Sequence, residues 1–411
     1  MDRASGGVIG PARVGRRRVF YIPGFDPLPP RRYRELYRSE AAAQSAVAGH
    51  RIEVRRSAAV PDGWEAEAEI EGAHTRTTFE VLVWSDIVRR AMGRGVLATY
   101  AQLARTAWIY GSTGALWRLL RLSRGATLAT LYPVAVLLLG LAAAALAGRA
   151  AALAAVRLAP GGWAAPAAIL AAAGGGYGLL WLLLRLDHRH YAVYLLEDYA
   201  HAASARGAWP AELAGRIGAF RDRVLAALAQ GCDEVLIVGH SSGAHLAVAV
   251  MAGVLRARPA GAGGPALSLL TLGQAIPMMS FLPGASGLRG DLRFLSERDD
   301  IAWVDVSAPG DGCTYALCDP VAVSGVATTG KRWPLVLSAA FSQSLSPERL
   351  AALRWRFFRL HFQYLCAFDR PQGYDYFAIT AGPLTLHRRF EGRRPSPQRV
   401  ETPLSPYRSV A

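Results

Sequence analysis

The sequence predicts an α/β protein built on a mostly parallel sheet and interrupted by a helical hairpin of bilayer length. Three observations predict it. Short apolar runs at 235–238, 267–272 and 301–306 alternate with helical stretches, as strands covered on both faces do. Two uncharged apolar stretches, 127–147 and 163–184, separate that alternation from an earlier group of strands. A Gly-x-Ser-x-Gly string, Gly239-His240-Ser241-Ser242-Gly243, falls where an apolar strand gives way to an apolar helix.

Length and composition fit that outline. A chain of 411 residues can bury a large core and suits one elaborated domain with an insertion. Hydrophobic residues at 52% against 19% charged exceed what a soluble enzyme needs, so part of the chain is expected in lipid. The net charge of +15 is carried by arginine, because Lys331 is the sole lysine. Arginines beside apolar segments suit anionic headgroups, and no nucleic-acid-binding module accompanies them, so nucleic acid is not an expected partner. Cys232, Cys313, Cys318 and Cys366 form no CxxC pair, which argues for reduced thiols and against a zinc site. Arg16-Arg17-Arg18 looks like a twin-arginine signal, but Pro23-Gly24-Phe25-Asp26-Pro27 follows where an apolar region would be required.

In chain order, residues 18–22 read as a buried strand ended by Pro23-Gly24, and 31–47 as a helix. Residues 51–56, 65–71 and 77–84 read as further strands, partly antiparallel, the middle one alternating acidic with small residues. From 86 to about 124 the pattern is helical. Trp108, Tyr110 and Trp117 lie there among Arg105, Arg118, Arg121 and Arg124, as on a helix at a membrane interface. An amphipathic helix packed on the core would show the same pattern.

The two uncharged stretches follow, each able to span a bilayer core in about 20 residues. The stretch between them carries Arg149 and Arg157 and closes at Pro160-Gly161-Gly162. Arg118, Arg121, Arg124, Arg185 and Arg189 outnumber those two, which by the positive-inside rule puts the flanks in the cytoplasm. Beyond the hairpin, 191–196 is a strand or a helix start, 212–229 a helix, and 244–255 an apolar helix. After about residue 388, arginine, proline and serine suggest a mobile tail. The expected organisation is residues 1–100 and 191–387 as two parts of one domain, 101–190 as interfacial helices and hairpin, and 388–411 as a basic tail.

Strand, Gly-x-Ser-x-Gly turn and helix together resemble the nucleophile elbow of the α/β-hydrolase superfamily, in particular its lipases and esterases. Glycines at 239 and 243 let a sharp turn present a serine while the helix packs close behind it. The resemblance implies an α/β-hydrolase-type sheet, Ser241 as nucleophile, and acid then histidine later in the chain. Asp311, in the loop after the 301–306 strand, is the expected acid. Asp319, in Cys318-Asp319-Pro320-Val321, is the alternative, and Asp305, within the strand, ranks behind both. His361 is the expected base ahead of His387, while His240 is expected to shape the turn.

The same resemblance implies an oxyanion hole from the amides of Ser242 and Phe25. Tyr21-Ile22-Pro23-Gly24-Phe25-Asp26 is similar to the family's His-Gly-X loop with proline in place of histidine, which keeps the donor and loses a bracing side chain. The activity implied is hydrolysis of acyl esters, possible lipids among them, through an acyl-enzyme. No cofactor or metal is expected, and the lipid bilayer and an acyl ester are the expected partners. The expected location is a bacterial inner membrane with the catalytic part cytoplasmic. Two alternatives remain at this point: an acyltransferase on the same fold, and an inactive membrane adaptor.

Overall fold

A computed structural model describes residues 13–93, 95–258 and 263–411. It is an α/β fold around an eight-stranded sheet of order β2-β3-β4-β1-β5-β6-β7-β8. The strands are β1 (Arg16–Ile22), β2 (Arg51–Arg56), β3 (Gly63–Ile70), β4 (Ala73–Val81), β5 (Glu234–His240), β6 (Ala266–Leu272), β7 (Ile301–Ser307) and β8 (Leu335–Ser338). Strands β2, β3 and β4 form an antiparallel meander, and all pairings from β4 through β1 to β8 are parallel. Alternation explains the meander. Trp64, Ala66, Ala68 and Ile70 are buried, whereas Glu65, Glu67 and Glu69 point to the other face. The central strands β5, β6 and β7 are buried along their whole length, as their unbroken apolar runs predict.

Helices cover both faces, and two apolar cores lie on opposite sides of the sheet. Side chains of β5 show the division: Val235 and Ile237 face one core, Leu236 and Val238 the other. The arginine run at the start of β1 is structural. Arg17 is fully buried, pairs with Glu234 at 2.6 Å and donates to the Gly382 carbonyl. Removing either partner would strand a buried charge, a loss of about 3–5 kcal/mol.

Helix α1 (Pro30–Ala48) crosses from β1 to the meander, and α2 (Ser85–Ala91), α3 (Val96–Ser112) and α4 (Ala115–Leu122) follow it. The long helix α5 (Arg124–Leu158) then pairs with α6 (Ala164–Arg185). Both are long and apolar enough to cross a membrane. Most of their leucines face outward, whereas Ala126, Leu137 and Ala144 of α5 are buried. The two helices meet through small residues: a Cβ on Gly148 would sit 2.7 Å from the Ala172 carbonyl oxygen, and one on Gly176 would sit 3.2 Å from that of Ala144.

The hairpin's boundaries correct the sequence expectation. Helix α5 does not stop at 147; it runs on to Leu158, and the turn is confined to the residues around Pro160. Residues 148–158 are alanine, leucine, valine and arginine after a single glycine, and nothing before Pro160 breaks a helix. Arg149 and Arg157 therefore sit on the helix rather than in a loop.

After the hairpin come α7 (Asp187–His190) and α8 (Ala192–Ala203), so 191–196 resolves as the start of a helix. Helices α9 (Ala211–Leu228), α10 (Gly243–Ala257), α11 (Ile276–Ser280), α12 (Ser286–Ser296) and α13 (Pro320–Val323) complete the larger elements. The C-terminal segment, expected to be mobile, is docked instead. Val400 bridges to Cys318, Leu404 N–H donates to Val323, and the Arg289 guanidinium donates to the Ser409 carbonyl. Its arginines and prolines mask a backbone whose hydrogen bonds are made to the body of the protein.

Candidate active site

The candidate site lies at the carboxyl ends of the parallel strands β1, β5, β6 and β7, where the loops of an open α/β sheet converge. Strand β5 ends at His240 and α10 begins at Gly243, leaving Ser241 and Ser242 to make the turn. Ser241 is held at φ 56°, a left-handed conformation costly for a residue with a side chain. Its N–H donates to the Leu272 carbonyl at 2.9 Å, fixing it against the end of β6. The two glycines are required by close approach. A Cβ on Gly239 would lie 2.6 Å from that of Ala247, and one on Gly243 would lie 2.3 Å from the Ile22 carbonyl oxygen.

The loop after β1 sits directly over this turn. A Cβ on Gly24 would fall 2.9 Å from Ser241 Cβ and 3.4 Å from its Oγ. Among the described residues, no hydrogen bond engages the amides of Phe25 or Ser242, so both remain free to donate. The loop is braced by Trp84, whose indole N–H donates to the Pro23 carbonyl at 2.9 Å. Asp26 ties the far side of the loop by accepting from Leu28 N–H and the Tyr33 hydroxyl. The amino end of α10 adds its dipole behind Ser242.

His361 closes a short helix, Phe357–His361, and is buried. Its Nδ1 lies 2.7 Å from Asp311 Oδ2, in the loop after β7. Tyr364 donates its hydroxyl to the same oxygen at 3.0 Å, and Cys313 N–H donates to Oδ1 at 2.9 Å, so the carboxylate is oriented on both sides. With Nδ1 committed to Asp311, His361 Nε2 is buried with no partner among the described residues. Ser241 and His361 line one narrow pocket of about 40 Å³, together with Gly24, Phe25, Tyr194, Asp198 and Phe358.

His240 holds His361 in place from behind. Its Nε2–H donates to the His361 carbonyl at 3.0 Å, and the two rings pack with centroids 4.7 Å apart. Burial pushes the His240 pKa down to about 3, so it stays neutral and acts as a donor. Ser242 donates its hydroxyl to Asp198 of α8 at 2.7 Å. Burial raises the Asp198 carboxyl to about 6, opposed by that hydrogen bond.

The other candidates are placed elsewhere. Asp319 caps α13 through the amides of Val321 and Ala322 and pairs with Lys331 at 2.5 Å. Asp305 accepts from Thr271 within the sheet, and burial raises it to about 8. His387 packs its ring against Trp333. Asp311, Cys313 and His361 bring three metal-capable atoms within 4.8 Å of one another. That group is not poised as a ligand set, because His361 Nδ1 is bonded to Asp311 and burial pushes the Cys313 thiol above its usual pKa.

No protein-family model, curated protein or solved structure matches the chain. The site therefore rests on its own geometry. Sequence reasoning did not single out Tyr364 or Asp198. Tyr364 lies three residues beyond His361, a spacing that could have drawn attention; Asp198 is separated from the elbow by 43 residues and carries no motif.

Proposed function

We propose that the chain is a membrane-anchored serine hydrolase of the α/β-hydrolase type that cleaves acyl esters. One observation carries the reading: a serine at a left-handed turn shares a pocket with a buried histidine whose far nitrogen is bonded to an aspartate. In this reading His361 Nε2 takes the Ser241 proton as Oγ attacks the ester carbonyl, and Asp311 stabilises the imidazolium. The Phe25 and Ser242 amides receive the oxyanion. Collapse expels the alcohol with the proton from His361, and water, activated the same way, releases the acid. The eight-stranded order, with the elbow on a central parallel strand and an antiparallel strand near one edge, supports the family resemblance.

The anchor follows from the hairpin. Ten leucine, isoleucine and valine side chains between Leu138 and Leu182 are exposed. In a bilayer they favour insertion by about 0.5 kcal/mol each, roughly 5 kcal/mol together. Arg149 and Arg157 oppose them, but both lie in the distal part of α5, about 20 residues or more beyond Thr130, where their stems can snorkel to the headgroups. The arginines at the hairpin's base favour a cytoplasmic catalytic body.

A fluorophosphonate probe tests the nucleophile. It should label the wild-type protein covalently and leave Ser241→Ala unlabelled; equal labelling of the variant would overturn the assignment.

A further inference from the structure

The pocket at Ser241 is too small to hold a whole ester, and a much larger cleft shares part of its wall. The outer cleft has a volume of about 720 Å³ and shares Asp26, Tyr194, Phe358 and Phe362 with the inner pocket. The acyl carbonyl thus sits at the narrow end, and the bulk of any substrate occupies the outer cleft. Its walls are apolar, with Leu28, Leu36, Tyr33 and Leu353 among them. Its charge is not balanced. Arg32, Arg349, Arg356 and Arg359 line it, against the carboxylates of Asp26 and Glu40.

Both acids are already engaged. Asp26 accepts from Tyr33 and Leu28, and Glu40 accepts from Ala367 N–H and lies 3.7 Å from Arg349. Arg356 and Arg359 make no ion pair among the described residues, and Arg32 acts on Asp26 through its charge without an ion-pair contact. Two of these, Arg356 and Arg359, sit on the segment that ends in His361, so an anion held there is fixed relative to the base. Guanidinium groups bind carboxylate and phosphate through paired hydrogen bonds, and an apolar wall beside them strengthens that contact.

Resting on the serine-hydrolase reading, we propose that the site selects esters with an anionic group on one arm, held by Arg32, Arg356 and Arg359 at the rim of the cleft. A carboxylate and a phosphate offer the guanidinium groups the same paired oxygens, so a soluble acid and a phospholipid headgroup share the chemistry and the experiment separates them. The cleft's position favours neither a purely aqueous nor a purely lipid supply: Tyr191, which follows the hairpin, packs against Phe358 with ring centroids 4.5 Å apart, and Trp355 beside the rim is 75% exposed.

The test uses the full chain, reconstituted in vesicles. Mono-4-nitrophenyl glutarate and 4-nitrophenyl pentanoate share a leaving group and chain length and differ in one terminal carboxylate. Wild-type kcat/KM should favour the glutarate at least tenfold. The double variant Arg356→Gln/Arg359→Gln should lower that preference about tenfold, and Arg356→Lys/Arg359→Lys should restore part of it. Fluorophosphonate labelling reports whether each variant's site is assembled. Fatty acid release is measured in parallel from phosphatidylglycerol and phosphatidylcholine vesicles. Preferential release from the anionic lipid identifies a bilayer source, and a preference confined to the glutarate identifies a soluble one. A labelled enzyme that treats both ester pairs equally, or whose preference survives the glutamine variant, overturns the proposal alone. A wild-type protein that neither labels nor turns over any ester overturns the serine-hydrolase reading, and this proposal falls with it.

Discussion

On the serine-hydrolase reading, replacing Asp311 by asparagine should lower kcat about 10⁴-fold while leaving the fold intact, and the environment of Asp311 dictates why. Cys313 N–H donates to Oδ1 at 2.9 Å, so an asparagine keeps its carbonyl oxygen on that side. Its NH2 then takes the place of Oδ2, 2.7 Å from His361 Nδ1. An NH2 group can only donate, so Nδ1 must accept and the ring's proton moves to Nε2. A protonated Nε2 cannot take the serine proton. Loss of the productive tautomer corresponds to about 5 kcal/mol of transition-state stabilisation. The assay is kcat for a 4-nitrophenyl ester with a fluorophosphonate labelling rate, alongside a melting temperature. Asp319→Asn is the control. Asparagine caps α13 as well as aspartate does but removes the buried charge that pairs with Lys331, so it should cost about 1–3 kcal/mol of stability with little loss of turnover. An Asp311→Asn enzyme within tenfold of wild type, or an Asp319→Asn enzyme with the 10⁴-fold loss, would refute the reasoning.

Two further outcomes concern stability. Burial raises Asp305 to about 8 from an unfolded value near 4, so the folded state holds an extra proton between those limits. That stabilisation is complete below pH 4 and falls as pH rises to about 8, by about 1.4 kcal/mol per unit at most. Asp305→Asn should therefore flatten the loss of melting temperature between pH 5 and pH 8; an unchanged slope would show that Asp305 ionises normally. In the hairpin, Gly148→Val would drive a Cβ into the Ala172 carbonyl and part the two helices, at about 1–3 kcal/mol. A melting temperature in detergent equal to wild type would mean that the helices do not depend on this contact.

Much of the site was legible in the sequence because its parts obey local rules. The turn at Ser241 needs glycines on both sides for steric reasons, and Asp311 lies in the loop that a parallel strand delivers to the same sheet edge. Asp319 competed with Asp311 in chain order. What separates them is that one carboxylate meets the amides at the start of α13 and the other meets a histidine 50 residues away, a contact that spacing cannot reveal. The hairpin was visible as apolar length and its turn as Pro160-Gly161-Gly162, but the first helix runs past 147 because arginine in an alanine-rich stretch does not break a helix. Strand β8 gave no signal, being four residues long and following Trp333-Pro334. The docked C-terminal segment looked like a mobile tail because its hydrogen bonds are made by backbone, which composition does not report.

The way α8 leaves the hairpin bears on how this protein can be handled and altered. The helix that emerges from α6 and α7 supplies Tyr194, Leu195, Asp198 and Tyr199 to the wall of the Ser241 pocket. At the other end, Thr130 near the start of α5 hydrogen-bonds the Tyr199 hydroxyl, and Tyr100 of α3 donates to the Leu137 carbonyl. Excising 124–190 to obtain a soluble protein would therefore remove the scaffolding of the pocket along with the apolar helices. A construction that keeps α5 to about Leu137 and rejoins the chain near Leu184, where α6 again touches α3 and α8, would discard only the protruding arm. The hairpin is then a limb whose shoulder is part of the pocket, and shifts at that shoulder would be felt at Ser242 through Asp198.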